Sequence, residues 1–240
     1  MNSILIAWLI VAAVLVVFGL LIGHAATKRY LGLLIDGRGR FSLTQLQLVI
    51  WTIVVLSLIA AVAIGRLAAG VPAVLGFEIP RELLIVMGIS VGSTATAATV
   101  KAAKDATHPE RVAASDGNDK PRFLQVFLLD EGQYADQVVD VTKFQNFWMT
   151  CLVVAAWAAV VIAQISSAKS IAEATIPPFS GTFLVLLGIS HAGYLAGKLP
   201  NPQGEPKGLT VALKKQGALP ERRAAMTEPA ARPFYRPRHP

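Results

Sequence analysis

Long uncharged apolar blocks, separated by short charged segments, dominate the chain. A bilayer core of roughly 30 Å takes about 20 apolar residues in a helix, because backbone groups left unpaired in hydrocarbon are too costly. Five stretches reach or approach that length: 4–23, 41–65, 83–100, 144–168 and 179–197. The third is short and rich in small residues. The pattern predicts an all-α polytopic membrane protein with five transmembrane helices, one N-terminal anchor and two hairpins.

The expected organisation follows from the charged breaks. It is a transmembrane anchor over 1–28, a first unit over 29–101 with hairpin helices 44–66 and 82–100, and a mobile cytoplasmic loop over 102–121. A second unit over 122–199, with hairpin helices 142–168 and 178–198, leads into a disordered basic cytoplasmic tail over 200–240. No basic residue precedes the first block, and Lys28 and Arg29 follow it, so it reads as a retained anchor rather than a cleaved leader.

Composition supports the same class. Of 240 residues, 54% are hydrophobic and 15% charged, with a mean hydropathy of +0.54. A soluble core of this length needs more polar surface than that. The net charge of +7 points to an anionic membrane leaflet before it points to nucleic acid, which is not an expected partner.

Lysine and arginine positions set the expected orientation. Lys28, Arg29, Arg38 and Arg40 lie between the first two blocks, and Lys101, Lys104, Arg111, Lys120, Arg122 and Lys143 between the third and fourth. Most of the remaining basic residues are in the tail, and only Arg66, Arg81 and Lys169 fall on the opposite side. This predicts the N-terminus out and the C-terminus cytoplasmic.

The two units look like a duplication. Arg29-Tyr30-Leu31, Ile35-Asp36 and the run Phe41-Ser42-Leu43-Thr44-Gln45-Leu46-Gln47 parallel Arg122-Phe123-Leu124, Leu129-Asp130 and Val139-Asp140-Val141-Thr142-Lys143-Phe144-Gln145. Leu84-Ile85-Val86-Met87-Gly88-Ile89-Ser90 parallels Leu184-Val185-Leu186-Leu187-Gly188-Ile189-Ser190. Both hairpins start on the same side, so the repeat is parallel, unlike the inverted repeats of many transporters. The motifs Asp36-Gly37-Arg38, Ser42 and Gln47, with Gly188-Ile189-Ser190-His191-Ala192-Gly193-Tyr194-Leu195, resemble those of an uncharacterised family of bacterial multi-span inner-membrane proteins with duplicated hairpins. The resemblance implies the architecture and brings no reaction with it.

Three groups of residues are candidates for special roles. Thr44/Gln47 and Thr142/Gln145 have capping-box spacing at the starts of the second and fourth helices. Gly88, Gly92, Gly188, Gly193 and Gly197 form small-residue rows that suit close packing of spans three and five, with each other or with a second copy. Ser90, Ser93, Thr94, Ser190, His191 and Tyr194 form a candidate polar patch in the cytoplasmic halves of those spans, with Lys198 snorkelling from the end of the fifth. The alternative reading of the patch is structural, with His191 bonded to a neighbouring hydroxyl.

The lone Cys151 makes no internal disulfide, and the four histidines show no ligand spacing, so no metal or cofactor is expected. Segments 29–35 and 122–129 have the character of short interfacial helices. No Ser/His/Asp set or phosphate loop is present, so the expected function is non-enzymatic: a scaffold or anchor presenting these segments and the basic tail to a cytoplasmic partner or to anionic lipid. The alternative is an oligomeric pore or small transporter lined by the polar halves of spans three and five.

Overall fold

A computed structural model describes residues 2–107, 121–131, 135–168 and 175–199. Its helices are α1 (Asn2–Thr27), α2 (Leu43–Ala68), α3 (Arg81–Thr107), α4 (Val141–Ser167) and α5 (Gly181–Lys198). Single 3-10 turns form at Gly32–Leu34 and Phe123–Val126. Four helices, α1 to α4, are long and apolar enough to cross a membrane. At 1.5 Å per residue, the 26 residues of α2 make a rod about 39 Å long, which exceeds the hydrocarbon thickness. The shorter α5 has 18 residues and ends in Lys198.

Helices α2, α3, α5 and α4 pack in a ring, each against the next, and α1 lies outside it, mainly against α2. Periodicity explains which face each helix buries. On α4 the buried positions are Lys143, Asn146, Thr150, Val153, Trp157, Val161 and Ile165, a stripe advancing by three or four residues. The buried stripe of α3 runs through Leu83, Val86, Ser90, Ser93 and Ala97. On both helices the polar members of the stripe cluster toward the end that meets the charged loops.

The apolar parts of the stripes meet in one core. Trp51, Val55, Leu58, Val86, Val153, Trp157, Phe179 and Leu187 are all buried there. The Trp157 and Phe179 rings stack at 5.3 Å, and Trp51 meets Phe179 edge-on at 5.8 Å. Trp157 Nε1 donates to the carbonyl of Pro177 at 3.0 Å, so its buried N–H is not left unpaired. By contrast Leu9, Ile10, Val14, Val17, Phe18 and Leu21 of α1 are exposed. Around 25 cal/mol per Å² of apolar surface would oppose such exposure in water, whereas hydrocarbon tolerates it.

Helix α1 packs along α2 and its approach, with specific contacts in both halves of α1. Trp8 Nε1 donates to Ser57 Oγ at 2.9 Å near one end of α1. At the other, Gly23 lies against the 3-10 turn that precedes α2. A Cβ on Gly23 would sit 2.6 Å from the Tyr30 carbonyl oxygen, and one on Gly32 2.6 Å from the Gly23 carbonyl oxygen. Here glycine is required by close approach, and the two chain segments pack backbone to backbone.

Several expected boundaries and roles change. Residues 102–107 continue α3 as helix rather than opening the expected mobile loop, and 108–120 lie outside the described residues, as does the tail from 200 onward. The longer α3 carries Glu82 and Asp105 near its two ends. The segments expected as short interfacial helices are single 3-10 turns, each followed by an isolated antiparallel bridge, Ile35 with Phe41 and Leu128 with Val139. The glycine rows do not mediate packing within the chain. A Cβ added at Gly88, Gly92, Gly188 or Gly193 meets nothing within 4 Å, and one at Gly197 makes only ordinary contact with Thr142. Helices α3 and α5 do pack together, but through the serine and histidine face instead.

The capping boxes are also replaced. Ser42 is the N-cap of α2, with Thr44 already inside the helix and its hydroxyl 3.1 Å from Ser42 Oγ. Asp140 caps α4, accepting from the Thr142 and Lys143 amides at 3.0 and 3.3 Å. A carboxylate takes this place readily because it satisfies two orphan amides and opposes the positive end of the helix dipole.

Gly32→Ala is expected to cost about 1–3 kcal/mol of stability, because backbone must move to admit the methyl group. Gly88→Ala should leave stability unchanged or slightly raised. Thermal unfolding of the two variants in mild detergent, followed by tryptophan fluorescence, separates these outcomes.

Candidate functional site

The N-termini of α2 and α4 and the C-termini of α3 and α5 converge at one end of the ring, where the segments leading into α2 and α4 cover them. Both loops carry charge, and so do the helix ends beneath. The result is a buried ionic junction.

Asp130 is its centre. Its carboxylate accepts from Lys143 Nζ at 2.6 Å and pairs with Lys198, with Lys101 at 3.6 Å and Arg40 at 3.7 Å. Asp130, Arg40, Lys143 and Lys198 are all buried. Burial alone would raise the Asp130 carboxyl. The Lys198, Lys143 and Lys101 ammonium groups and the Lys143 hydrogen bond outweigh that and hold it well below the ordinary carboxylate range. Lys143 also donates to the Leu128 carbonyl at 2.6 Å and the Gln125 carbonyl at 3.4 Å, so its three protons all have acceptors.

The first loop is locked to the second through arginines. Arg40 makes a two-pronged pair with Asp136, both contacts at 2.7 Å. Arg38 reaches Asp105 at 2.6 Å and Glu131 at 3.0 Å, and Lys104 joins Glu131 at 2.6 Å. Burial lowers the Arg38 affinity for its proton, but the hydrogen bonds and charges of Asp105 and Glu131 raise it above the usual value. Burial likewise raises Glu131, while Lys104 and Arg38 bring it below the usual range. Asp36 completes the arrangement. It pairs with Lys101 and accepts from the Arg38 and Arg40 amides at 3.0 and 3.2 Å, fixing the turn that aims both arginines.

A polar column continues from this junction into the ring. Tyr194 lies one turn inward, buried, with the Lys198 ammonium 5.4 Å from its ring centre. His191 Nδ1 and Ser93 Oγ are 2.7 Å apart, joining α5 to α3. Thr94 donates to the Ser90 carbonyl at 2.9 Å and the Thr44 carbonyl at 3.2 Å, joining α3 to α2. Ser190 donates to Asn146 Oδ1 at 3.0 Å, and Gln47 donates to Thr150 Oγ1 at 2.7 Å and to the Asn146 carbonyl at 3.2 Å. All four ring helices are thereby cross-linked by side chains. The His191 Nε2 and Ser90 Oγ atoms are buried without a hydrogen-bond partner among the described residues.

Of the six residues expected as a polar patch, His191 meets Ser93 directly and Thr94 bonds the Ser90 carbonyl within α3, whereas Ser190 turns to Asn146 of α4 and Tyr194 lies beside Lys198. His191 bonds a hydroxyl, as its structural reading anticipates. Lys198 does not snorkel; it is buried on Asp130. Gln47 crosses to α4 instead of capping, whereas Gln145 is exposed. Motif spacing does not single out Asn146, Arg40, Asp130 or Lys143. The signal for two of them lies in register: Lys143, Asn146 and Thr150 fall on the same stripe as Val153 and Trp157, and Gln145 does not.

Among the described residues no group of His, Cys, Asp and Glu side chains is arranged to hold a metal. No protein-family model, curated protein or solved structure matches the chain.

Two outcomes are expected. Asp130→Asn strands buried ammonium groups without a carboxylate and should cost about 3–5 kcal/mol, enough to abolish folding in detergent. Because the Asp130 carboxyl titrates lower in the folded chain than the unfolded value of about 4, its contribution is fully present above that pH. It is lost as pH falls further, so the wild-type unfolding midpoint should drop steeply below about pH 4. In the column, Gln47→Leu should destabilise by about 1 kcal/mol and Gln145→Leu by nearly nothing, read from the same melts.

Proposed function

We propose that this protein is a non-enzymatic scaffold or anchor of a bacterial inner membrane, whose ionic junction holds a rigid cytoplasmic platform for a partner. The observation that carries this reading is the cross-loop pairing of Arg40 with Asp136 and Arg38 with Glu131. Loops serving only as connections need no such fastening. A loop pair held in fixed geometry pre-organises a binding surface and lowers the ordering cost of association.

The exposed side of that platform has a mixed character suited to contact. Arg29, Tyr30, Leu31 and Leu33 project from the first loop, and Arg122, Phe123 and Leu124 from the second. Anionic headgroups, a cytoplasmic protein and a second copy of the chain are the partners this chemistry favours. In this reading α5 is a fifth span, the N-terminus is outside and the basic tail is cytoplasmic. The two units are a parallel duplication, supported by the 3-10 turn and bridge before both α2 and α4.

An oligomeric pore is the weaker reading. Ser90, Ser93, Ser190 and His191 of α3 and α5 are buried, His191 is engaged with Ser93 and Ser190 with Asn146 of α4, and the column stops at Trp51, Trp157 and Phe179. A lumen between copies would instead meet the outward glycines.

Affinity purification from mild detergent tests the scaffold reading. Wild type should retain a reproducible cytoplasmic partner. A variant carrying Arg122→Glu, Phe123→Asp and Leu124→Asp should lose it at least tenfold while keeping its unfolding midpoint, a factor of ten being about 1.4 kcal/mol of binding. Repeated recovery of no partner, together with solute flux in liposomes, would overturn it in favour of the pore. Reporter fusions at the two chain ends should light up in opposite compartments; a shared compartment rules out five spans.

A further inference from the structure

The same three residue types stand at corresponding places in the two loops, Arg29-Tyr30-Leu31 and Arg122-Phe123-Leu124, and all six side chains are exposed. The backbone beneath them is alike as well. The amide three residues after each arginine donates to the arginine carbonyl, Gly32 at 3.0 Å and Gln125 at 2.9 Å. Both turns are held in place: Gly32 packs against the Gly23 backbone, and Lys143 Nζ donates to the Gln125 and Leu128 carbonyls. A cation, an aromatic ring and a leucine are thus presented twice, in one order, on fixed turns.

Each triplet continues into the apolar outer surface of a long helix. The Tyr30 ring stacks on His24 at 4.6 Å, near the end of α1 where Leu21 and Ile22 are exposed. Phe123 meets Phe127 at 6.4 Å, Phe127 meets Phe147 at 5.0 Å and Phe147 meets Trp148 at 5.7 Å. These rings lead from the second loop to the outer side of α4, where Trp148 and Leu152 are exposed. Tryptophan and tyrosine gather where hydrocarbon gives way to headgroups. Both triplets stand at such a boundary.

The exposed charge at this end is basic. Within the junction Arg38, Arg40, Lys101, Lys104, Lys143 and Lys198 are met by as many carboxylates, Asp140 included because its charge acts on Lys143. Lys28, Arg29 and Arg122 stand outside that balance, exposed and without an ion pair among the described residues. Basic residues so placed are drawn to an anionic leaflet.

We infer that the two Arg-aromatic-Leu triplets are anchors for anionic phospholipid, with Arg29 and Arg122 on the phosphate and the adjoining ring and leucine among the upper acyl carbons. Arginine suits this role because its planar fork meets a phosphate through two parallel hydrogen bonds. A zwitterionic headgroup is disfavoured, since its choline brings a like charge toward the guanidinium. The inference rests on the scaffold reading, from whose partners it selects the headgroup.

The purified full chain in non-ionic detergent is titrated with phosphatidylglycerol or phosphatidylcholine at constant ionic strength. Bound lipid is counted by native mass spectrometry, and unfolding is followed in the same samples. Phosphatidylglycerol should be retained and should raise the midpoint saturably, while phosphatidylcholine does neither. Arg29→Gln combined with Arg122→Gln should weaken retention by about tenfold or more. The lipid-free midpoint of that variant should not move, since neither arginine has an ion pair to lose. Arg81→Gln, an exposed position at the opposite end of α3, should bind as wild type does.

Equal retention of the two lipids overturns the inference, as does phosphatidylglycerol binding that survives the double arginine change or falls equally with Arg81→Gln. A midpoint that rises as much with soluble glycerol phosphate makes the ligand a free anion and overturns it too. The scaffold reading fails separately. Retained phosphatidylglycerol without any protein partner leaves the lipid anchors standing, whereas a protein partner held with no lipid preference assigns the triplets to protein and overturns them.

Discussion

A single carboxylate, Asp130, governs how this chain closes. It is contributed by a loop, yet it is buried and draws ammonium groups from the ends of α3, α4 and α5, with the Arg40 guanidinium beside them. Burying a carboxylate or an ammonium group alone costs several kcal/mol, so neither side can be buried without the other. The loops must therefore lie over the helix ends, and the helix ends must converge. The closure of both loops and the order of helices in the ring follow from that constraint.

The polar column extends the same logic into the apolar bundle. Between helices in hydrocarbon, apolar side chains gain little by meeting one another rather than lipid, so packing and hydrogen bonds specify which helices pair. Gln47 selects α4, Thr94 ties α3 to α2, and Ser93 with His191 joins α3 to α5. These bonds are individually modest. Together they fix rotation about each helix axis, because a turned helix would bury a hydroxyl against lipid-facing methyl groups. The tryptophan and phenylalanine core in the other half supplies shape and closes the interior.

Much of the fold is legible in the amino-acid pattern because hydrocarbon leaves few choices for the backbone. The apolar blocks mark α1, α2 and α4 to within a few residues and the start of α3, which runs seven residues past its block, and the small-residue rows anticipate that α3 and α5 meet but not the face through which they do. The site is less legible. Charge counting assigns Lys198 and Lys143 to the water-facing loops, because an isolated lysine belongs there; only the tertiary arrival of Asp130 makes burial tolerable. Thr-x-x-Gln spacing suggests a local bond, but each helix starts two residues before the threonine, at Ser42 and at Asp140, where Asp140 takes the cap, and Gln47 makes its contact across the ring. Glycine spacing misleads for a related reason: it records which positions are small, not which way they point. The stripe register on α4 is the clue that discriminates, since it places Lys143 and Asn146 inward and Gln145 outward.

Lys198 is the last residue of α5, and it meets a carboxylate that the ribosome delivers 68 positions earlier. During synthesis the earlier helices can insert in turn, while Asp130 waits with an incomplete set of counter-charges. The final helix thus completes the junction: a chain cut short before it would leave Asp130 without its Lys198 partner.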